Sequence, residues 1–202
     1  LQKYLNPWPK GDPRYVESPD ESIEAQKAVT LEEVKSFHQD FYGASAAEFS
    51  IVGDIDPNEV KSLLTELFSG WKSPKPFTRM ASTYQNRPAI RESIETPDKE
   101  SAVFSAGLRI EMRDDAPDYP AMVLGNFMTG GGFLNSRLAT RIRVKDGLSY
   151  GVGSFFSASP FDKDASFGAF AICAPQNADK LVAAFDEEIA KILDKGFDAG
   201  ES

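Results

Sequence analysis

The chain has 202 residues, and its 22 Lys and Arg against 31 Asp and Glu give a formal net charge of −9. It holds one Cys, Cys173, and one His, His38. These two counts exclude an internal disulfide, a cysteine-based zinc site and a two-histidine metal site, and any Ser-His-Asp or Cys-His arrangement must use His38 itself.

The length suits one large domain or two small ones with a packed core. No apolar run approaches about eighteen residues, so no membrane span is expected. The acidic balance argues against a nucleic-acid surface. The opening run Leu1-Gln2-Lys3-Tyr4-Leu5-Asn6-Pro7 lacks the basic-then-apolar layout of a secretory signal, and it has no initiating Met. The chain therefore reads as a fragment or processed product. Its low cysteine content fits the cytosol and a bacterial periplasm equally.

Residues 1–21 are rich in Pro, Gly and charge, and four prolines among the first nineteen residues oppose regular structure. They read as an extended arm, with Trp8 and Tyr15 as docking side chains. Thr30 with Glu33 forms a capping-box signal, and Leu31, Val34, Phe37 and Phe41 follow at helical spacing up to Gly43. Residues 47–54 alternate and predict a strand. Asp56-Pro57 opens a helix whose apolar face is Val60, Leu63, Leu64, Leu67 and Phe68. Residues 72–88 are Pro- and Lys-rich and suit a linker or edge crossing.

Ala89–Glu95 and Ala102–Ile110 read as two strands around the turn Pro97-Asp98-Lys99. Asp118–Met128 predicts a helix, broken by Gly130-Gly131-Gly132. Asn135 then caps a second helix that runs to about Lys145 and is closed by Gly147. Ser149–Ser157 and Ala165–Ala174 predict two more strands. A last helix begins near Asn177 and carries Leu181, Phe185, Ile189 and Ile192. Strands joined by short turns pair antiparallel, and the helices do not alternate with them in strict βαβ order. The expected class is α+β: a mostly antiparallel sheet with helices packed on one face.

Little of the chemistry-bearing inventory converges. His38 reads as a surface residue of the first long helix. Asp54, Asp56 and Glu59 lack the spacing of a calcium loop, and a turn and a helix cap explain them. The triple glycine lacks the Gly-Lys-Ser/Thr ending of a phosphate loop and suits a helix–helix connection. Cys173 sits in an apolar strand and reads as core. One segment is out of proportion: Ser136 to Tyr150 crowds Arg137, Arg141, Arg143 and Lys145 into one helix of an acidic protein. An Arg at that helix end and a Tyr at the next strand start could jointly donate hydrogen bonds to a carbonyl or carboxylate. The alternative is a solvated basic face with Tyr150 at the core edge.

Gly131-Gly132, Ser136-Arg137-Leu138 and Ile142-Arg143-x-Lys145-x-Gly147-Leu148-x-Tyr150 together resemble the C-terminal-half signature of the pitrilysin/insulinase family of zinc peptidases. Ile142 and Val144 stand where that family usually has Leu and Glu. The upstream runs Val29–Tyr42 and Ile51-Val52-Gly53-Asp54-Ile55-Asp56 resemble the same family, so the likeness covers residues 4–200 or so. It implies the metallopeptidase LuxS/MPP-like fold and two halves closing around a peptide. Zinc would sit on an H-x-x-E-H motif in one half, and a metal-free half would present an Arg/Tyr pair to the substrate. This chain has no such motif. The resemblance therefore makes it a metal-free C-terminal domain, inert alone, at residues 22–202, preceded by the 1–21 arm of another domain and truncated at its end. It makes Arg143 and Tyr150 the substrate-binding residues, with Tyr150 steadying the tetrahedral oxyanion. It assigns no catalytic or metal-binding residue to this chain. The implied partners are a peptide substrate and an H-x-x-E-H-bearing domain or subunit that carries the zinc. A structural or assembly module, as in respiratory-complex core subunits and processing-peptidase non-catalytic subunits, is the other reading.

Overall fold

A computed structural model describes residues 1–198, 200 and 201. Ala199 and Ser202, at the end of the expected domain, lie outside the described residues. The chain divides into two compact units, residues 17–80 and residues 1–16 with 81–202.

The 17–80 unit carries helices α2 (Pro19–Ala28), α3 (Leu31–Phe41) and α4 (Pro57–Phe68). Each start is written locally. Ser18 with Glu21 and Thr30 with Glu33 close reciprocal capping boxes. The Asp56 carboxylate accepts the amides of Asn58 and Glu59, and Pro57 loses no helical hydrogen bond in the first turn. Gly43, just past α3, is required by space: a Cβ there would stand 2.2 Å from the backbone nitrogen of Ser73. His38 is exposed on α3, stacked on Tyr42 with ring centroids 5.0 Å apart. The stretch 47–54, expected as a strand, forms no ladder. Its unit contains no other strand among the described residues, and an extended segment gains its hydrogen bonds only from a neighbour.

The other unit begins with the short helix α1 (Gln2–Leu5). The arm after it is held by specific contacts. The Arg14 guanidinium stacks on Trp8 with Cζ 3.4 Å from the ring centre, binds Asp12, and donates to the carbonyl of Ala81 at 2.7 Å. Tyr4 Oη donates to the carbonyl of Pro88 at 2.6 Å. Residues 89–95 are also without ladder pairing. Arg91 instead reaches Asp186 at 2.8 Å, so this stretch meets the last helix.

Among the described residues the sheet has three strands, β1 (Ala102–Ile110), β2 (Ser149–Ala158) and β3 (Ala165–Cys173), in the antiparallel order β1-β3-β2. Alternate residues of β3, namely Ala169, Ala171 and Cys173, are buried. They meet Leu138 and Ile142 from the segment before β2, and Leu181 and Ala184 from helix α6 (Ala178–Lys195). Phe104 and Phe185 close the edge of this core with centroids 4.9 Å apart. The small alanines of β3 let the helices approach closely, and the period of two on the strand puts all of them on one face. The expected α+β arrangement, an antiparallel sheet with helices on one face, is present.

Helix α5 (Tyr119–Asn126) widens into a π-helical turn, Phe127–Gly131, where the expected helix 118–128 ended. Gly130 lies so near β2 that a Cβ would come 2.5 Å from the Ser154 nitrogen. Only glycine allows that approach. Across the sheet, Phe155 lies over Gly168 in the same economy of space, with its ring 2.3 Å from where a Cβ would stand.

Candidate functional site

The segment between α5 and β2 is irregular in a defined way. A 3-10 turn, Phe133–Asn135, follows the glycines, and Ser136 is extended with φ −74° and ψ 156°. Ser136 rather than Asn135 therefore occupies the start of the next helix, since its carbonyl accepts from the Thr140 amide at 2.9 Å. Its hydroxyl donates to the Phe133 carbonyl at 2.7 Å. The helix then becomes π-helical over Ala139–Lys145 and stops before Gly147, whose φ of +62° favours glycine. Fully buried Leu138 and Ile142 pin one side of this helix to the core, which fixes where its arginines point.

The three arginines have different surroundings. Arg137 is held by Glu201, with Nε donating to Oε1 at 2.7 Å, and lies over the Phe197 ring at 5.0 Å. The hydrogen bond to Glu201 raises the guanidinium pKa, and the same contact lowers that of the Glu201 carboxyl. Arg141 is ion-paired with Asp146 and with Glu187, the latter at 2.9 Å. Its hydrogen bond holds Glu187 below the usual carboxylate range. Arg143 differs. Among the described residues no carboxylate lies within ion-pair distance and no acceptor takes its N–H groups. Its guanidinium lies over the Tyr150 ring at 4.6 Å and over the Phe133 ring at 5.9 Å.

Tyr150 owes its position to a fault in the ladder. Ser149 pairs with Cys173 and Gly151 with Ile172, so Tyr150 is an extra residue with no partner on β3. Such a bulge turns a side chain away from its regular direction. Ser149 Oγ stitches the bulge, lying 2.8 Å from the Gly151 carbonyl and 2.7 Å from that of Ile172. The Tyr150 side chain stands 84 % exposed beside Arg143.

The structure thus brings the two expected residues, Arg143 and Tyr150, into contact on one surface. Phe133 was not singled out by sequence. Its only signal there is a large aromatic directly after three glycines.

Chemically, this surface offers an uncompensated guanidinium with in-plane donors and a phenolic hydroxyl next to it, both suited to an oxygen acceptor. Zinc does not fit the described residues. His38 is alone on α3, Cys173 is a buried thiol whose pKa desolvation raises, and among the described residues no group of three or more His, Cys, Asp or Glu could hold a metal. Among the described residues no helix is long and apolar enough to cross a membrane. Elsewhere, an open apolar groove of about 490 Å³ runs along α4, lined by Ile51, Ile55, Val60, Leu64 and Phe68, with no converging charged pair.

A family model described as the peptidase M16 inactive domain matches residues 28–201. An uncharacterized zinc protease of Streptomyces coelicolor is 24 % identical over 180 residues, 87 % of this chain and 38 % of that protein. A probable inactive metalloprotease of Bacillus subtilis, YmfF, is 27 % identical over 146 residues, 70 % of this chain and 32 % of that one. The solved peptidase M16 inactive domain from Pseudomonas fluorescens superposes with a TM-score of 0.78 at 25 % identity, over 99 % of this chain and 46 % of that one. A protease from Helicobacter pylori shares the fold, with a TM-score of 0.70 at 18 % identity over 89 % of this chain and 43 % of that one. The chain spans less than half the length of each of these proteins. With the family model matching nearly its whole length, the chain belongs to the peptidase M16 inactive domain family.

Proposed function

We propose that this chain is the metal-free, peptide-holding part of a two-part zinc endopeptidase. The zinc and the general base lie on an H-x-x-E-H-bearing domain or subunit outside these residues. Arg143 donates to a backbone carbonyl of the bound peptide. Tyr150 Oη donates to the carbonyl oxygen that gains negative charge as the peptide bond is attacked. Both donors are preorganised: Arg143 by the buried anchors Leu138 and Ile142, Tyr150 by the bulge. The observation that carries this reading is Arg143 itself. Its neighbours Arg137 and Arg141 are neutralised by carboxylates, whereas Arg143 rests on aromatic rings with its donors free for a ligand.

The test is proteolysis by the full-length protein together with its zinc-bearing half. Arg143→Ala and Tyr150→Phe each lower kcat/KM by about tenfold or more, or roughly 1.4 kcal/mol of transition-state stabilisation. Unchanged cleavage by both variants, with circular dichroism unaltered, would refute the assignment. A second reading, a structural or assembly module, draws support from the likeness to a protein named as a probable inactive metalloprotease. It predicts that no peptide is cleaved by the complete assembly and that the pair is dispensable.

A further inference from the structure

Phe133 is the one non-glycine residue with positive φ among the described residues, at +54°. A bulky side chain in the left-handed region is a true outlier and costs conformational free energy, whereas glycine or asparagine would make the same turn without that cost. Its ring does not repay this by burial, because the residue is 70 % exposed. What it does have is a place beside the Arg143 guanidinium, which also lies over Tyr150. A guanidinium stacked on rings keeps its in-plane donors for an acceptor, and the rings themselves remain as apolar surface. A strained, exposed aromatic next to an uncompensated cation is the pattern of a ligand contact rather than of a core residue.

We propose that Phe133 is a third contact of the peptide site, selecting an apolar or aromatic substrate side chain next to the carbonyl that Arg143 holds. This rests on the peptide-holding role proposed above. The neutral carbonyl satisfies the guanidinium, and the adjacent side chain falls on the exposed ring of Phe133. Together they make one platform, polar at the centre and apolar at the flank.

Three fluorescein-labelled peptides test this on the full-length protein. They are identical Gly/Ser sequences carrying Phe, Ser or Glu at the central position, and binding is read by anisotropy. The parent protein binds the Phe peptide about fivefold tighter than the Ser peptide, as expected for one added aromatic contact. Phe133→Asn removes the ring while tolerating the left-handed backbone, and it brings that ratio close to one with the Ser peptide's Kd little changed. Phe133→Tyr keeps the ratio. An unchanged ratio in Phe133→Asn, or an equal loss for the Phe and Ser peptides, overturns the proposal. So does tighter binding of the Glu peptide than of the Phe peptide, which would assign the guanidinium to a side-chain carboxylate. Arg143→Ala is the separate control. If it binds the Ser peptide as the parent does, the carbonyl-holding role falls, while the Phe-to-Ser ratio still judges Phe133.

Discussion

Replacing Asp164 by Ala, in the turn between β2 and β3, removes the acceptor for three hydrogen bonds. Arg109 of β1 donates from Nε at 2.9 Å and again from Nη2, and Ser82 Oγ donates to the second carboxylate oxygen. The Asp164 side chain is 2 % exposed and that of Arg109 19 %. Breaking a buried ion pair from one side costs about 3–5 kcal/mol, mostly because the surviving charge is left without a partner. Arg109 retains some contact with water, which places the expected loss near the lower end, about 3 kcal/mol. With a urea m-value of roughly 2 kcal/mol/M for a chain of this size, the midpoint falls by about 1.5 M. Tryptophan fluorescence in a Trp71→Phe background reports it, because Trp8 then reads only the unit that contains Asp164. The double variant Arg109→Met/Asp164→Leu leaves no charge stranded and recovers most of the loss, to within about 1 kcal/mol of the parent. A loss under about 1 kcal/mol in Asp164→Ala, or a double variant worse than the single one, would refute the reasoning.

The Arg14 guanidinium and backbone amide hold the Asp12 carboxyl at about 2, below its ordinary 3.8. A depressed carboxylate stabilises the fold above its ordinary value and loses that contribution as pH falls towards about 2. A carboxyl-carbon NMR titration should show Asp12 returning to the ordinary range in Arg14→Ala, and the same midpoint in both proteins would contradict this. Cys173 is buried in the core with its thiol pKa raised by desolvation, so a thiol reagent should modify it about a hundredfold or more slower in the native protein than in urea. A native rate near the unfolded one would place the thiol at the surface.

What the sequence disclosed and what it hid divide along physical lines. Capping is local, so Thr30 with Glu33 and Asp56 with Pro57 marked α3 and α4 to within a residue. Alternation and a short turn marked β2 and β3, and the apolar stripe of Leu181 and Phe185 marked α6. Helix α2 was hidden because its first residue is Pro19, the last of the cluster that made the arm read as irregular. The strand expected at 47–54 had the right alternation and that at 89–95 lay beside a turn, but pairing is a property of two segments, and one segment's pattern cannot supply its partner. At the candidate site the residue types of Arg143 and Tyr150 stood out as basic crowding in an acidic chain. The bulge that aims Tyr150 and the π-helical turns on either side depend on how β3 and the core close around them, which no local window records.

The strand order has a consequence for how the sheet is made. β3 lies between β1 and β2, yet it is the last of the three to leave the ribosome. Until it emerges, β1 lacks its neighbour among the described strands, and β2 waits only for the short turn that returns the chain. The β2–β3 hairpin can therefore zip first as a local event, and β1 must join it across a long loop, Ala102 opposite Cys173 and Ile110 opposite Ala165. For that interval the apolar stretch of β1 is without the partner strand it has in the folded chain. An unpaired strand edge in that interval is open to wrong pairing.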